Sequence, residues 1–337
     1  MSQITFTGDD VEQYDASDER PHASDPADPH WQESIFLFWW DDAAGIGAIH
    51  RIGHEPNTSP PTANSWNGVF TREGTRFRRY ERPDLKADAR TEHGLAAGPS
   101  RYEFVDAWRF ILSDPDCDLD LEWYEDFVGL PHMYPKQRMG DVHSDYAPQH
   151  YEAAGRVRGT ARVANTTYRV DALAYRDHSW GRREWPTLLA HRYLGGTLGP
   201  ELTFCTLGWL GVDGRQSSFG LIIRNGVFEY AESVDFVTYL EPDGTSHRGG
   251  EVTFTMRDGE VIALKPVLVD AVLHEHGGDA GAALSAVDSV CVIEHGGLRG
   301  FGNLEITNNA KNGSDRVRAV TRAVSQNGLS RRDWSFV

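Results

Sequence analysis

From Trp31 onward, short apolar or two-residue-periodic runs are broken by clusters of Gly, Asn, Asp and Pro, the pattern of many short strands joined by turns. The run Ser34-Ile35-Phe36-Leu37-Phe38-Trp39-Trp40 predicts a strand, turn chemistry follows at 41–45, and 46–52 can return as the hairpin partner. Further strands are predicted at 66–70, 76–80, 102–112 and 119–128. A second set follows at 155–163, 167–175, 191–193, 202–210, 217–223, 227–230, 251–255, 261–269, 287–293 and 299–307. Asn225-Gly226 and Asp258-Gly259 sit where hairpins need them. Helix is confined to a short segment at 279–286 and fragments around 131–140. The predicted class is therefore all-β, built from antiparallel barrels or sandwiches rather than any α/β design.

The stretch Asp116-Cys117-Asp118-Leu119-Asp120-Leu121-Glu122-Trp123 alternates strictly, so its acids share one face and its apolar residues the other. A calcium site is conceivable there, but the EF-hand order with its central Gly is missing. A solvent-facing strand is the expected reading.

At 337 residues the chain suits two domains of roughly 150 residues each. The composition, 39% apolar and 25% charged, is that of a soluble globular protein, while 11% aromatic residues with ten Trp implies large rigid side chains lining an interior. The net charge of −17 argues against a nucleic-acid partner and against anionic membrane surfaces. Asp9, Asp10, Glu12, Asp15, Asp18, Glu19, Asp25 and Asp28, with Pro21, Pro26 and Pro29, mark residues 1–30 as a solvated acidic arm. No run approaches the roughly 18 apolar residues of a membrane helix, and the N-terminus lacks the order of a secretory signal, so a cytoplasmic protein without membrane insertion is expected. Cys117, Cys205 and Cys291, odd in number and far apart, are expected to be buried free thiols.

Neither a strand-GxGxxG-helix unit nor a GxxxxGK[ST] loop is present, Gly45-Ile46-Gly47 reads as a turn, and the GxSxG elbow is missing. The fourteen His, including His274-Glu275-His276, lack HExxH spacing. No cofactor and no metal are expected.

Three segments are dense in polar and aromatic groups. They are Trp31-Gln32-Glu33-Ser34 with the hairpin through His50-Arg51-Ile52-Gly53 to Asn57, the string Arg176-Asp177-His178-Ser179-Trp180-Gly181-Arg182-Arg183-Glu184-Trp185, and Gly300-Phe301-Gly302-Asn303-Leu304-Glu305. A carboxylate beside an imidazole can orient it and raise its basicity, so Asp177 and His178 could move protons without a cofactor. Alternatively, Asp177 and Arg182 form a domain-joining ion pair and Trp180 plugs a barrel end. Glu305 is either a carboxyl pushed toward neutrality in a cavity or a buried partner of Arg51 or Arg299. Glu33 carries the same ambiguity, and Trp31, Trp39, Trp40 and Trp66 are either packing or ligand walls.

These segments, with His150 and Gly155 ahead of the second, resemble the AttH/carotenoid 1,2-hydratase-like group over about residues 30–310. The resemblance implies two consecutive lipocalin-like (calycin) barrels, 31–174 and 175–337, after the arm. It also implies cofactor-independent hydratase, dehydratase or isomerase chemistry on a terpenoid-, steroid- or polyketide-like molecule at the domain junction, or pericyclic cyclisation in the same architecture. Asp177 and His178 would then be the proton-handling pair, Glu305 a second carboxyl and Trp180 the π-wall, with Trp31, Glu33, Trp66, His150 and Asn303 also contacting substrate. The rival reading is a carrier for an apolar small molecule; a homodimer is compatible with either.

Overall fold

The apolar run that opens the body of the chain becomes the strand Trp31–Asp41, buried along its whole length. A strand with both faces covered is expected to read as continuous hydrophobic sequence rather than as an alternation. The computed structural model describes residues 7–9, 11–129, 131–132, 148–242, 246–277, 283–309 and 326–331. Among them the only helical turns are two short 3-10 segments, Ala16–Glu19 and Trp185–Thr187.

The strands form two curled sheets. The 12-stranded sheet runs in spatial order Gly328–Arg331, Thr75–Glu81, Thr62–Thr71, Ile46–Glu55, Trp31–Asp41, Thr166–Arg182, Gln149–Val163, Cys117–Asp126, Trp108–Asp114, Ser100–Phe104, Gly94–Ala97, Arg90–Thr91. It folds over itself, so that the Ser65 hydroxyl donates to that of Ser100 at 3.1 Å. The 11-stranded sheet runs Thr7–Gly8, Val227–Tyr230, Gln216–Arg224, Thr203–Gly211, Leu188–Thr197, Leu298–Asn309, Ala283–His295, Val267–Gly277, His247–Thr255, Ser233–Leu240, with Val261–Leu264 beside His247–Thr255. All pairings are antiparallel except Thr7–Gly8 on Val227–Tyr230. Asn225 and Gly226, both at positive φ, make the tight turn expected of that dipeptide.

Strand alternation sorts the apolar residues into three layers. Leu37, Trp39, Phe77, Trp108 and Leu121 fill the inside of the first sheet. Leu194, Phe204, Ile222, Phe254 and Ile262 fill the inside of the second. Phe36, Phe38, Phe70, Tyr175, Leu207 and Phe301 belong to the layer where the two sheets face each other, with Phe38 against Phe301 at 5.9 Å between ring centroids. On Cys117–Asp126 the alternating acids lie on the outer side, paired with Arg162, Arg109 and Arg158, as a solvent-facing strand requires. The three cysteines are free and buried.

Several expectations need correction. The stretch 102–112 is two strands, because Val105, although apolar, sits exposed in the turn between them. The stretch 261–269 is likewise interrupted at Lys265-Pro266, where proline cannot donate to a ladder. The helix expected at 279–286 is contradicted from Ala283 on, which begins the strand Ala283–His295; residues 279–282, and most of 131–140, lie outside the described residues. The strand Thr166–Arg182 runs straight through the 174/175 boundary, and the crossing to the second sheet falls at 183–187. The arm is not simply solvated: Glu19 is buried. No helix among the described residues is long and apolar enough to cross a membrane.

Candidate active site between the sheets

Side chains on a strand alternate between faces, and this divides the Arg176–Gly181 string. Arg176, His178 and Trp180 point into the first sheet, whereas Asp177 and Ser179 point toward the second. Adjacent in sequence, Asp177 and His178 therefore do not form the acid–base pair expected of them.

On the inner side, His178 Nε2 lies 2.8 Å from Glu33 Oε1, and both side chains are fully buried. His22, from the arm, brings Nδ1 to 2.8 Å from the same oxygen and stacks on Trp180 with ring centroids 3.6 Å apart. Arg90 donates to the other Glu33 oxygen and lies over the Trp31 ring. Glu33, His178 and Trp180 thus contact the arm, and none of these three, nor Trp31, lines the cavity between the sheets. Arg182 pairs with Asp28 and Glu184, not with Asp177.

Burial raises the Glu33 pKa, but the hydrogen bonds from His178 and His22 and the charges of His178 and Arg90 outweigh it, leaving the carboxyl well below its ordinary 4.5. A carboxyl depressed in the folded state contributes stability that is present above its unfolded pKa and is lost as pH falls. Stability should accordingly decline as pH drops below 4.5. Urea unfolding at descending pH should show a shallower decline for Glu33→Gln than for the parent; equal slopes would contradict this assignment.

On the outer side, Asp177, His150, Trp66 and Glu305 line one cavity of about 70 Å³, together with Arg51, Arg183, His191, Tyr193 and Asp288. The facing strands Thr166–Arg182, Gln149–Val163, Leu188–Thr197, Leu298–Asn309 and Ala283–His295 carry most of these groups. That volume holds a few water-sized groups. It fits the reacting end of a molecule rather than a whole polycyclic skeleton. Asn303 stands behind the cavity, donating to Asp288 Oδ1 at 2.8 Å.

Glu305 pairs with neither Arg51 nor Arg299. His191 Nε2 lies 2.7 Å from its Oε1, and the Thr307 hydroxyl donates to the same oxygen at 2.6 Å. Burial pushes the Glu305 pKa up, but His191, Thr307 and Arg183 outweigh it, so the carboxyl is held below its usual value and is ionised rather than neutral. The carboxyl pushed toward the protonated form is instead Asp288, raised well above its ordinary 3.8 by complete burial and then by the charge of Glu305. Its Oδ2 makes no hydrogen bond among the described residues, and His274 Nε2 lies 3.7 Å from it. Two neighbouring carboxyls with pKa values driven apart form an acid and a base.

A second acid–imidazole group adjoins them. His150 Nε2 is 3.6 Å from both Asp177 Oδ2 and Glu152 Oε1, and burial drives its pKa down to about 4, so the ring is neutral at pH 7. His150, Glu152 and Asp177 are positioned to hold a cation, as are His22, Glu33 and His178. The second trio is already drawn together by hydrogen bonds. Trp66 carries Arg51 over its ring at 4.6 Å and His274 stacked at 4.5 Å.

The sequence reading missed Asp288, His191 and Arg183. The signal for Asp288 was a lone carboxyl in the otherwise uncharged run Leu284–Ile293.

Two curled antiparallel sheets with a cavity between them define an all-β protein of two packed sheets. The chain belongs to the family described as a domain of unknown function, DUF7064, which matches residues 15–310. It is similar in structure to an AttH-like protein from Nitrosomonas europaea, with TM-score 0.65 and 12% identity, covering 88% of this chain and 96% of that one. It is also similar to CghA, with TM-score 0.60 and 10% identity over 85% of this chain and 90% of the other. Kievitone hydratase from Nectria haematococca gives TM-score 0.52 and 9% identity over 92% and 98%. At these identities the likeness is one of fold. No curated protein matches the sequence.

Proposed function

We propose that the protein is a cofactor-independent, cytoplasmic acid–base enzyme of the hydratase, dehydratase or isomerase type. Its substrate is a small hydrophobic terpenoid-, steroid- or polyketide-like molecule whose reacting end enters the cavity between the sheets. The observation that carries this reading is Asp288, a buried carboxyl whose Oδ2 has no hydrogen-bond partner among the described residues and whose pKa burial pushes up. The ionised Glu305 beside His191 complements it in the same cavity.

In the hydration direction, Asp288 gives its proton to an alkene carbon, and the π electrons form the new C–H bond. The cation left on the adjacent carbon is stabilised by the carboxylates of Glu305 and Asp177. Water adds to it, and its surplus proton passes to the Glu305–His191 pair. Dehydration is the reverse, and loss of a different proton from the cation gives isomerisation. The fold shared with kievitone hydratase supports the same class.

Incubation of the purified protein with metabolite extracts of its source organism, followed by mass spectrometry, tests this. The expected result is conversion of one compound in molar excess over protein, to a product isomeric with it or differing by one water. Asp177→Asn and Glu305→Gln should each slow conversion by about a hundredfold or more. A compound that is bound and returned unchanged, or variants that convert like the parent, would instead identify a carrier.

A further inference from the structure

Along the strand Leu188–Thr197 lies another cavity, a groove of about 410 Å³ whose lining includes His191 and Arg192. Arg192 is directly opposite Gly208 on Thr203–Gly211, and Gly208 is opposite Ser218 on Gln216–Arg224. Strands are about 4.8 Å apart, so the glycine opens a gap of roughly 10 Å between the Arg192 and Ser218 backbones. Phe236 covers Gly208, its ring 3.5 Å from where a Cβ would stand, and Val234 lines the same groove. One end of the groove is thus cationic, its far edge carries a hydroxyl, and its side is apolar.

Arg192 has no carboxylate for a partner among the described residues. Its guanidinium donates to the backbone oxygens of His191 at 2.7 Å and Thr307 at 3.2 Å, and to Asn308 Oδ1 at 3.3 Å. All three acceptors are neutral. Glu305 is drawn to His191 on the other side of the sheet. A partly buried guanidinium whose hydrogen bonds all go to neutral acceptors, with the Glu305 charge acting on it only from beyond ion-pair distance, favours an external anion, even in a chain of net charge −17.

We infer that this groove is a binding site for a small organic acid, whose carboxylate lies between Arg192 and the Ser218 hydroxyl and whose apolar body lies along Phe236 and Val234. The groove meets the cavity between the sheets at His191, which lines both.

Isothermal titration of the full chain with benzoate, and with benzamide as its neutral isostere, tests the inference. Benzoate should bind saturably at one site, with benzamide roughly tenfold or more weaker, the scale of a lost charge-assisted contact. Arg192→Met and Gly208→Val, which respectively remove the charge and fill the gap, should each weaken benzoate by a similar factor, while Asp288→Asn leaves it unchanged. The inference is overturned if benzoate shows no saturable binding, if benzamide binds as tightly, or if Asp288→Asn removes binding. The comparison of the two ligands on the unaltered protein holds even if a variant fails to fold.

Discussion

Asp288→Asn should abolish turnover and at the same time stabilise the protein at neutral pH. The amide cannot donate an acidic proton, so the rate should fall by about a hundred- to ten-thousandfold, the usual contribution of a positioned general acid. Stability moves the other way because the carboxyl is raised in the folded state above its ordinary 3.8. Below that pH both states are protonated and the residue is neutral with respect to folding. As pH rises the unfolded chain ionises first, which favours unfolding until the folded pKa is reached. An amide removes that penalty and still accepts the Asn303 hydrogen bond at Oδ1. Melting curves should therefore place the variant above the parent at pH 7, with the gap closing near pH 3.8. A variant less stable than the parent at pH 7 would mean that Asp288 is ionised in the folded protein.

Glu19→Ala should be among the most destabilising single changes in the chain. Glu19 and Arg176 are almost wholly buried and share two contacts, at 2.5 Å and 2.8 Å. Tyr102 donates to the Glu19 backbone oxygen at 2.6 Å and Tyr151 to its carboxylate at 2.5 Å. Removing the carboxylate leaves a buried guanidinium uncompensated, which costs about 3–5 kcal/mol. Trp123 and Trp108, whose rings lie 4.6 Å and 5.6 Å from the guanidinium carbon, recover only part of this through cation–π attraction. Replacing both partners, as in Glu19→Leu with Arg176→Met, should recover most of the loss, since neither charge is then stranded. Urea unfolding followed by circular dichroism measures both. A loss below about 1 kcal/mol for Glu19→Ala would mean that the aromatic rings alone balance Arg176.

The strands were legible because their signals are local. Asn225-Gly226 announces its own turn, and the acids of Asp116-Cys117-Asp118-Leu119-Asp120 announce their own exposed face. Burial of the arm was not legible, since Glu19 finds its partner 157 residues away and composition describes only the solvated alternative. Strand boundaries failed where a turn used an apolar residue, as at Val105. The Asp177-His178 adjacency misled because it suggests a pair, whereas a strand sends neighbours to opposite faces. Applied to the predicted strand through Tyr175 and continued to Trp180, the same alternation would have separated them. Asp288 and His191 join the site only through the packing of one sheet on the other, which no local pattern encodes.

The most direct test of the central claim is hydrogen exchange from solvent during turnover. Conversion of the substrate identified in metabolite extracts, run in deuterated water, should place one carbon-bound deuterium in the product of a hydration or isomerisation by the parent protein, or in the recovered substrate of a dehydration. Asp288→Asn should form product and label about a hundredfold or more slower. Conversion that leaves both product and recovered substrate without carbon-bound deuterium, or that labels them equally with Asp288→Asn, would contradict proton transfer at this carboxyl and with it the acid–base account of the cavity.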